Sequence, residues 1–197
     1  MRKLKFTQCG VICHGLSELQ IARYIKSNLH LKMETFSRDN GNSSIQITSV
    51  LDFLSSKNFT NIKKFAEDNG VEFEKKKLKN FKLFIIMDTD DCTSEQKKSF
   101  IDKSMFINHP LYEYIYPIFN CPDLEEVLVK AGIMVKKIKN EQKGSYYFKT
   151  FPINSEPFSM NSYNEIEDLM NKLKLVKNTN LNEFLKYCLD LVYQERK

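Results

Sequence analysis

Residues 81–88 read FKLFIIMD, an apolar run with no glycine or proline that stops abruptly at an aspartate. Leu83 to Met87 are consecutively apolar, so a strand here has no face left for water and must be covered on both sides. Sheets covered on both faces are mostly parallel, with helices as the covering layers. The carboxylates that follow, Asp88, Asp90 and Asp91, then stand at the strand's carboxyl end, which is where open α/β sheets hold ligands.

The rest of the chain falls in with that strand. CGVICHG (residues 9–15) is a second short apolar run, ending at Gly15. Ser17 and Gln20 have the spacing of a capping box, and Leu19, Ala22, Ile25 and Leu29 recur at helical intervals, predicting a helix over 17–30. LKMETFS (31–37) alternates as a strand, and RDNGNSS (38–44) is a loop around Asn40-Gly41. Ser43 and Gln46 open a helix through Ile47, Val50, Leu51 and Leu54, and TNIKKFAEDNG (60–70) is a helix closed by Gly70. Thr93 and Gln96 cap a helix carrying Phe100, Ile101 and Met105. YEYIYPIFN (112–120) is a further strand, placed at an edge or a bulge by Pro117. Pro122 opens a last core helix, with Asp123, Glu125 and Glu126 near the positive end of its dipole and Gly132 at its end. This order predicts an α/β fold over residues 1–133: a Rossmann-like, mostly parallel sheet with helices on both faces. Residues 134–197 are expected to form a mainly helical C-terminal extension packed on that core. Within it GIMVKKIK and SYYFKTFPI read as short strands or loop, followed by amphipathic helices near 162–175 and 181–194.

A chain of 197 residues with 42% hydrophobic and 28% charged content buries a real core. Its five cysteines are odd in number and contain no C-x-x-C pair, which excludes a zinc-ribbon spacing or a disulfide framework and suits a reducing, cytoplasmic setting. No run approaches the ~20 apolar residues of a membrane span. The net charge of +5 tolerates a polyanionic partner without demanding one. The lysines of EFEKKKLKNFK and VKKIKNEQK are interleaved with acids and apolar residues, as on a solvated surface, with phosphate binding as the other reading.

If the strands ending at His14 and Asp88 are neighbours, then His14, Glu18, Asp88, Asp90 and Asp91 converge. Carboxylates packed together repel one another unless a cation neutralises them, and oxygen donors with one imidazole suit Mg²⁺ or Mn²⁺. Each residue also has a structural reading. An acid at a helix start is favoured by the dipole, a lone histidine bonds a backbone carbonyl, and D-T-D-D can be a turn with an N-cap.

The pair HGLSE (14–18) and MDTDD (87–91) resembles the Toprim domain, whose first motif is E-G-x-x-[ED] and whose second is D-x-D. The resemblance covers residues 8 to 130. FNCPDLEEVL (119–128) is similar to a downstream segment of small Toprim proteins linked to phage defence, where an acidic helix start follows an Asn/Pro turn. The resemblance implies a divalent-metal nuclease acting on DNA or RNA. Glu18, Asp88 and Asp90 would be metal ligands, Asp91 an auxiliary one, and His14 would stand where the family has its leading glutamate. Arg38, Lys136, Lys137 and Lys139 are candidate phosphate contacts. The resemblance to the defence-type members also implies a separate ATPase partner; this chain has no G-x-x-x-x-G-K-[ST] loop of its own. Two other readings remain: a Toprim-like binding or docking module without catalysis, and a phosphatase, because FIIMDTDDCT resembles the h-h-h-h-D-x-D-x-T motif of haloacid-dehalogenase-like enzymes. Against the latter, Cys92 stands where threonine is expected and Thr93 falls one residue late.

Overall fold

The computed structural model describes residues 6–138, 140–153 and 158–195. In chain order the elements are β1 (Cys9–Cys13), α1 (Leu16–Asn28), β2 (Met33–Phe36), α2 (Val50–Leu54), α3 (Lys57–Thr60), α4 (Ile62–Asn69), a two-residue hairpin of β3 (Phe73–Glu74) and β4 (Lys77–Leu78), β5 (Lys82–Asp88), α5 (Ser94–Ile101), β6 (Ile115–Asn120), α6 (Leu124–Lys130), α7 (Asn140–Thr150), α8 (Met160–Lys174) and α9 (Leu181–Glu195). β2, β1, β5 and β6 form one sheet in that order, and every pairing in it is parallel. The expected Rossmann-like α/β fold with a helical C-terminal extension is present. No helix among the described residues is long and apolar enough to cross a membrane.

Alternation along the strands sorts the interior into two layers. Cys9, Val11, Cys13, Phe84, Ile86 and Ile118 face α1 and α6 to α9, while Ile12, Leu83, Ile85, Met87 and Ile115 face α2 to α5. That division explains the unbroken apolar run in β5, which is buried from Leu83 to Asp88. Each large apolar side chain so buried contributes roughly 1.5–3 kcal/mol. Tyr147 of α7 and Phe151 directly after it belong to the same cluster as Val11 and Leu19, so the extension shares the core's interior.

Several local expectations shift. Gly15, not Ser17, is the N-cap of α1; the Glu18 side chain accepts the Gly15 N–H at 2.9 Å, leaving the Ser17 hydroxyl to donate to Glu125. The helix expected from Ser43 begins only at Val50, after a 3-10 turn over Ile47–Ser49, because Ser43 bonds Asp39 instead. Pro122 lies just outside α6, after a cis Cys121–Pro122 bond, and Asp123 is the cap, accepting from the Glu126 N–H at 2.8 Å. A helix spans Asn140–Thr150, so Ser145–Thr150 of SYYFKTFPI is helical where a short strand or loop is expected. There the aromatic β-propensity yields to packing: Tyr147 and Phe151, one turn apart, stack at 5.9 Å, and Phe151 meets Tyr24 of α1 at 5.6 Å. The caps at Thr93 and at Gly70, which is left-handed at φ 62°, are as expected.

β6, the strand bearing Pro117, is an edge, and the segment before α9 covers it. The Phe119 N–H donates to Asn180 Oδ1 and the Asn180 amide donates to the Pro117 carbonyl. The Cys121 N–H donates to the Asn178 carbonyl, and the Asn178 amide donates to the Cys121 carbonyl. Thr179 Oγ1 donates to Asn120 Oδ1 at 3.0 Å.

Candidate functional site

β1 and β5 are adjacent, and their onward connections leave in opposite directions, β1 to β2 on one side and β5 to β6 on the other. Their carboxyl ends therefore flank the point where strand order reverses, the usual crevice of such sheets. His14 follows β1, its N–H still paired with the Ile86 carbonyl at 3.0 Å, and Asp88 ends β5. Gly41 fixes the wall of this turn: at φ 88° it packs so closely that a Cβ would meet Leu16 Cα at 2.8 Å. The chain must therefore rise at once into α1, and Glu18 in its first turn is carried inward.

Glu18 is 3% exposed, Asp88 7% and Glu125 6%. Asp88 Oδ1 accepts the Leu124 N–H at the start of α6 at 3.1 Å and the Asn120 amide at 3.3 Å. Burial pushes the Glu18 carboxyl up to about 7, with the Glu125 charge adding to it and the Gly15 hydrogen bond opposing it. Burial first, then the Glu18 charge, pushes Asp88 up to about 8, against the pull of His14 and Asn120. The three carboxyls thus form one electrostatically linked group. Burial also raises Asp91, which His14 opposes.

Glu125, treated from sequence as a helix-start acid, is the most heavily held of the three. Its Oε1 receives Lys143 Nζ at 2.9 Å, Ser17 Oγ at 3.4 Å and the Tyr147 hydroxyl at 3.4 Å. Burial and the neighbouring Glu125 and Glu18 charges push the Tyr147 phenol far up, so it stays a donor. Lys143 and Tyr147 are both on α7, one turn apart, and nothing in their local sequence marks them as neighbours of HGLSE.

The other candidate residues lie as follows. Asp90 is exposed on the turn after β5, and its charge reaches Asp91 and Cys92. Arg38 is half-buried and donates to the Ser44 carbonyl. Lys137 is tied to Asp123 at 2.7 Å and Glu126 at 3.2 Å, so its charge is met within the protein. Lys136 is exposed, and Lys139 lies outside the described residues.

No protein-family profile, curated protein or solved structure matches this chain.

The chemistry of the donors fits a hard divalent ion: buried carboxylates that repel one another, with an imidazole beside them. Two buried atoms of this region, His14 Nδ1 and Asp91 Oδ1, have no hydrogen-bond partner among the described residues. As they stand, no three His, Cys, Asp or Glu side chains among the described residues are disposed to hold an ion. Each of the three central carboxylates is engaged by protein donors: Glu18 by Gly15, Asp88 by Leu124 and Asn120, Glu125 by Lys143.

Proposed function

We propose that this protein is a divalent-metal-dependent hydrolase of nucleic-acid phosphodiesters, a nuclease of Toprim type. The observation that carries the reading is the meeting of Glu18 and Asp88, both buried and both pushed toward protonation, at the strand-order reversal. Carboxyls perturbed by burial and by a like charge in a strand-end crevice cluster at functional sites, which supports the reading. Glu18 and Asp88 would hold Mg²⁺ or Mn²⁺, with Asp91 at the rim. When bound, the ion supplies Lewis-acid polarisation of a phosphoryl oxygen and lowers the pKa of a bound water. His14, with its unpartnered Nδ1, accepts or returns a proton there. Asp90, exposed, adds negative charge at the mouth, and Lys136 with Arg38 supplies cationic contacts for the nucleic-acid backbone. The Toprim likeness implies a role in phage defence beside a separate ATPase.

Cleavage of plasmid DNA and of a structured RNA with Mg²⁺ or Mn²⁺ tests this, comparing the wild type with Asp88→Asn. Cleavage abolished by the substitution supports the assignment and shows which nucleic acid is preferred. Equal cleavage by both proteins overturns it. Inactivity of both with either metal favours the second reading, a nucleic-acid-binding or partner-docking module. That reading draws on Glu18 serving as the cap partner of Gly15 and on histidine standing in place of the leading glutamate.

A further inference from the structure

Outside the carboxylate cluster, one nucleophile is set apart from others of its kind. Cys121 directly follows β6, and Asn178 clamps its backbone, accepting its N–H at the carbonyl and donating from the amide to the Cys121 carbonyl. The half-buried Cys121 sulfur accepts the Lys97 ammonium of α5 at 2.9 Å. Lys97 forms no ion pair with a carboxylate among the described residues, so its ammonium is spent on the sulfur. Thr89, the residue after β5, is 8% exposed, and its Oγ1 has no hydrogen-bond partner among the described residues. The Thr89 N–H donates to the carbonyls of Asn120 and Pro122, the two neighbours of Cys121, which brings its side chain to the same sulfur. The Lys97 hydrogen bond first, and then Thr89, hold the Cys121 thiol below the ordinary cysteine range against the effect of burial, and the Lys97 and Lys130 charges add to this.

The other cysteines are placed differently. Cys9, Cys13 and Cys188 are fully buried, and burial pushes the Cys13 and Cys188 thiols well up. Cys92 is half-buried like Cys121, but its S–H donates to the Thr89 carbonyl at 3.7 Å. Reactivity toward an oxidant follows thiolate character and access, and a neighbouring lysine raises the first. Cys121 combines both.

We propose that Cys121 is a peroxide-reactive cysteine, oxidised to a sulfenic acid with Lys97 as the proton donor. The thiolate attacks one oxygen of the peroxide, and an S–O bond forms as the O–O bond breaks. Sulfur gives up two electrons and keeps the attacked O–H, while the other oxygen departs as hydroxide. That hydroxide takes a proton from the Lys97 ammonium and leaves as water, and Lys97 recovers its proton from solvent. The Thr89 hydroxyl then donates to the new sulfenic oxygen. The site uses neither Glu18 nor Asp88, so it stands apart from the metal-dependent reading.

The test maps the oxidised atom. Reduced full-length protein is treated with hydrogen peroxide in the presence of dimedone, and adducts are located by peptide mass spectrometry. The adduct should fall on Cys121 and be absent from Cys121→Ser. Alkylation by iodoacetamide at pH 7, read on the same peptides, should be faster at Cys121 than at Cys92. In proteins confirmed as folded by circular dichroism, Lys97→Met should slow alkylation of Cys121 at least about threefold, and Lys97→Arg should restore it. An adduct on another cysteine in place of Cys121, or none at all, overturns the proposal. So does a Cys121 alkylated no faster than Cys92, or at an unchanged rate in Lys97→Met. Failure of Lys97→Arg to restore the rate overturns the role of the lysine charge.

Discussion

Replacing Asp88 with asparagine should make the protein more stable at neutral pH and less sensitive to pH. Glu18 and Asp88 are raised from 4.5 to about 7 and from 3.8 to about 8. Well below the unfolded values of 3.8 and 4.5 both are protonated in the folded and the unfolded chain, so their full contribution to stability is present there. As pH rises toward 8, the unfolded chain releases protons that the folded one retains, and stability falls; above that it levels off. Each pH unit inside this window costs about 1.4 kcal/mol per carboxyl. Between about pH 5 and pH 7, Asp88 alone therefore removes on the order of 3 kcal/mol, or roughly 6–12 °C of Tm for a chain of this size. Asparagine leaves an oxygen to accept the Leu124 N–H, has no charge to bury, and takes away the second-largest influence on Asp88, repulsion from the Glu18 charge. Thermal melts of both proteins followed by circular dichroism across this range measure the slopes directly. A wild-type Tm that is flat from pH 5 to pH 7, or an Asp88→Asn variant with the same slope, would refute the reasoning.

Two further perturbations probe the frame around the cluster. Gly41→Ala forces a left-handed residue and a contact of 2.8 Å onto Leu16 Cα, so it should cost at least about 1 kcal/mol in urea unfolding and disturb the helix start that carries Glu18. Asn120→Ala removes a fully buried side chain that donates to Asp88 and accepts from Thr179; about 2–3 kcal/mol should be lost in the same assay, with Thr179→Ala costing less in the Asn120→Ala background than alone.

What could be read from the sequence follows the range of the forces involved. The strand at 82–88 was legible because burial on both faces leaves an unmistakable apolar run, and the cap at Thr93 because its hydrogen bonds span three residues. The approach of Glu18 to Asp88 followed once β1 and β5 proved to be neighbours. Gly15 was missed as the cap because Ser17 has the better capping chemistry, and only the tertiary contact with Glu125 shows where its hydroxyl is spent. Lys143 and Tyr147 were illegible for a related reason. Their helix forms through burial of Tyr147 and Phe151, while the local sequence, rich in aromatics, reads as extended. Glu125 showed its place at a helix start but not the three donors that converge on it.

The covering of β6 by residues 178–180 carries a consequence for anyone redesigning the chain. A sheet rim whose backbone groups are already paired cannot recruit a strand from another molecule. Trimming the protein back to its α/β core would strip Asn178 and Asn180 from that rim. The Phe119 N–H and the carbonyls of Pro117 and Cys121 would then be unpaired beside the half-exposed ring of Tyr116. The cut would turn a closed seam into a sticky one, and the shortened protein would self-associate along it. The segment that leads into the last helix thus keeps the sheet from growing at its β6 edge.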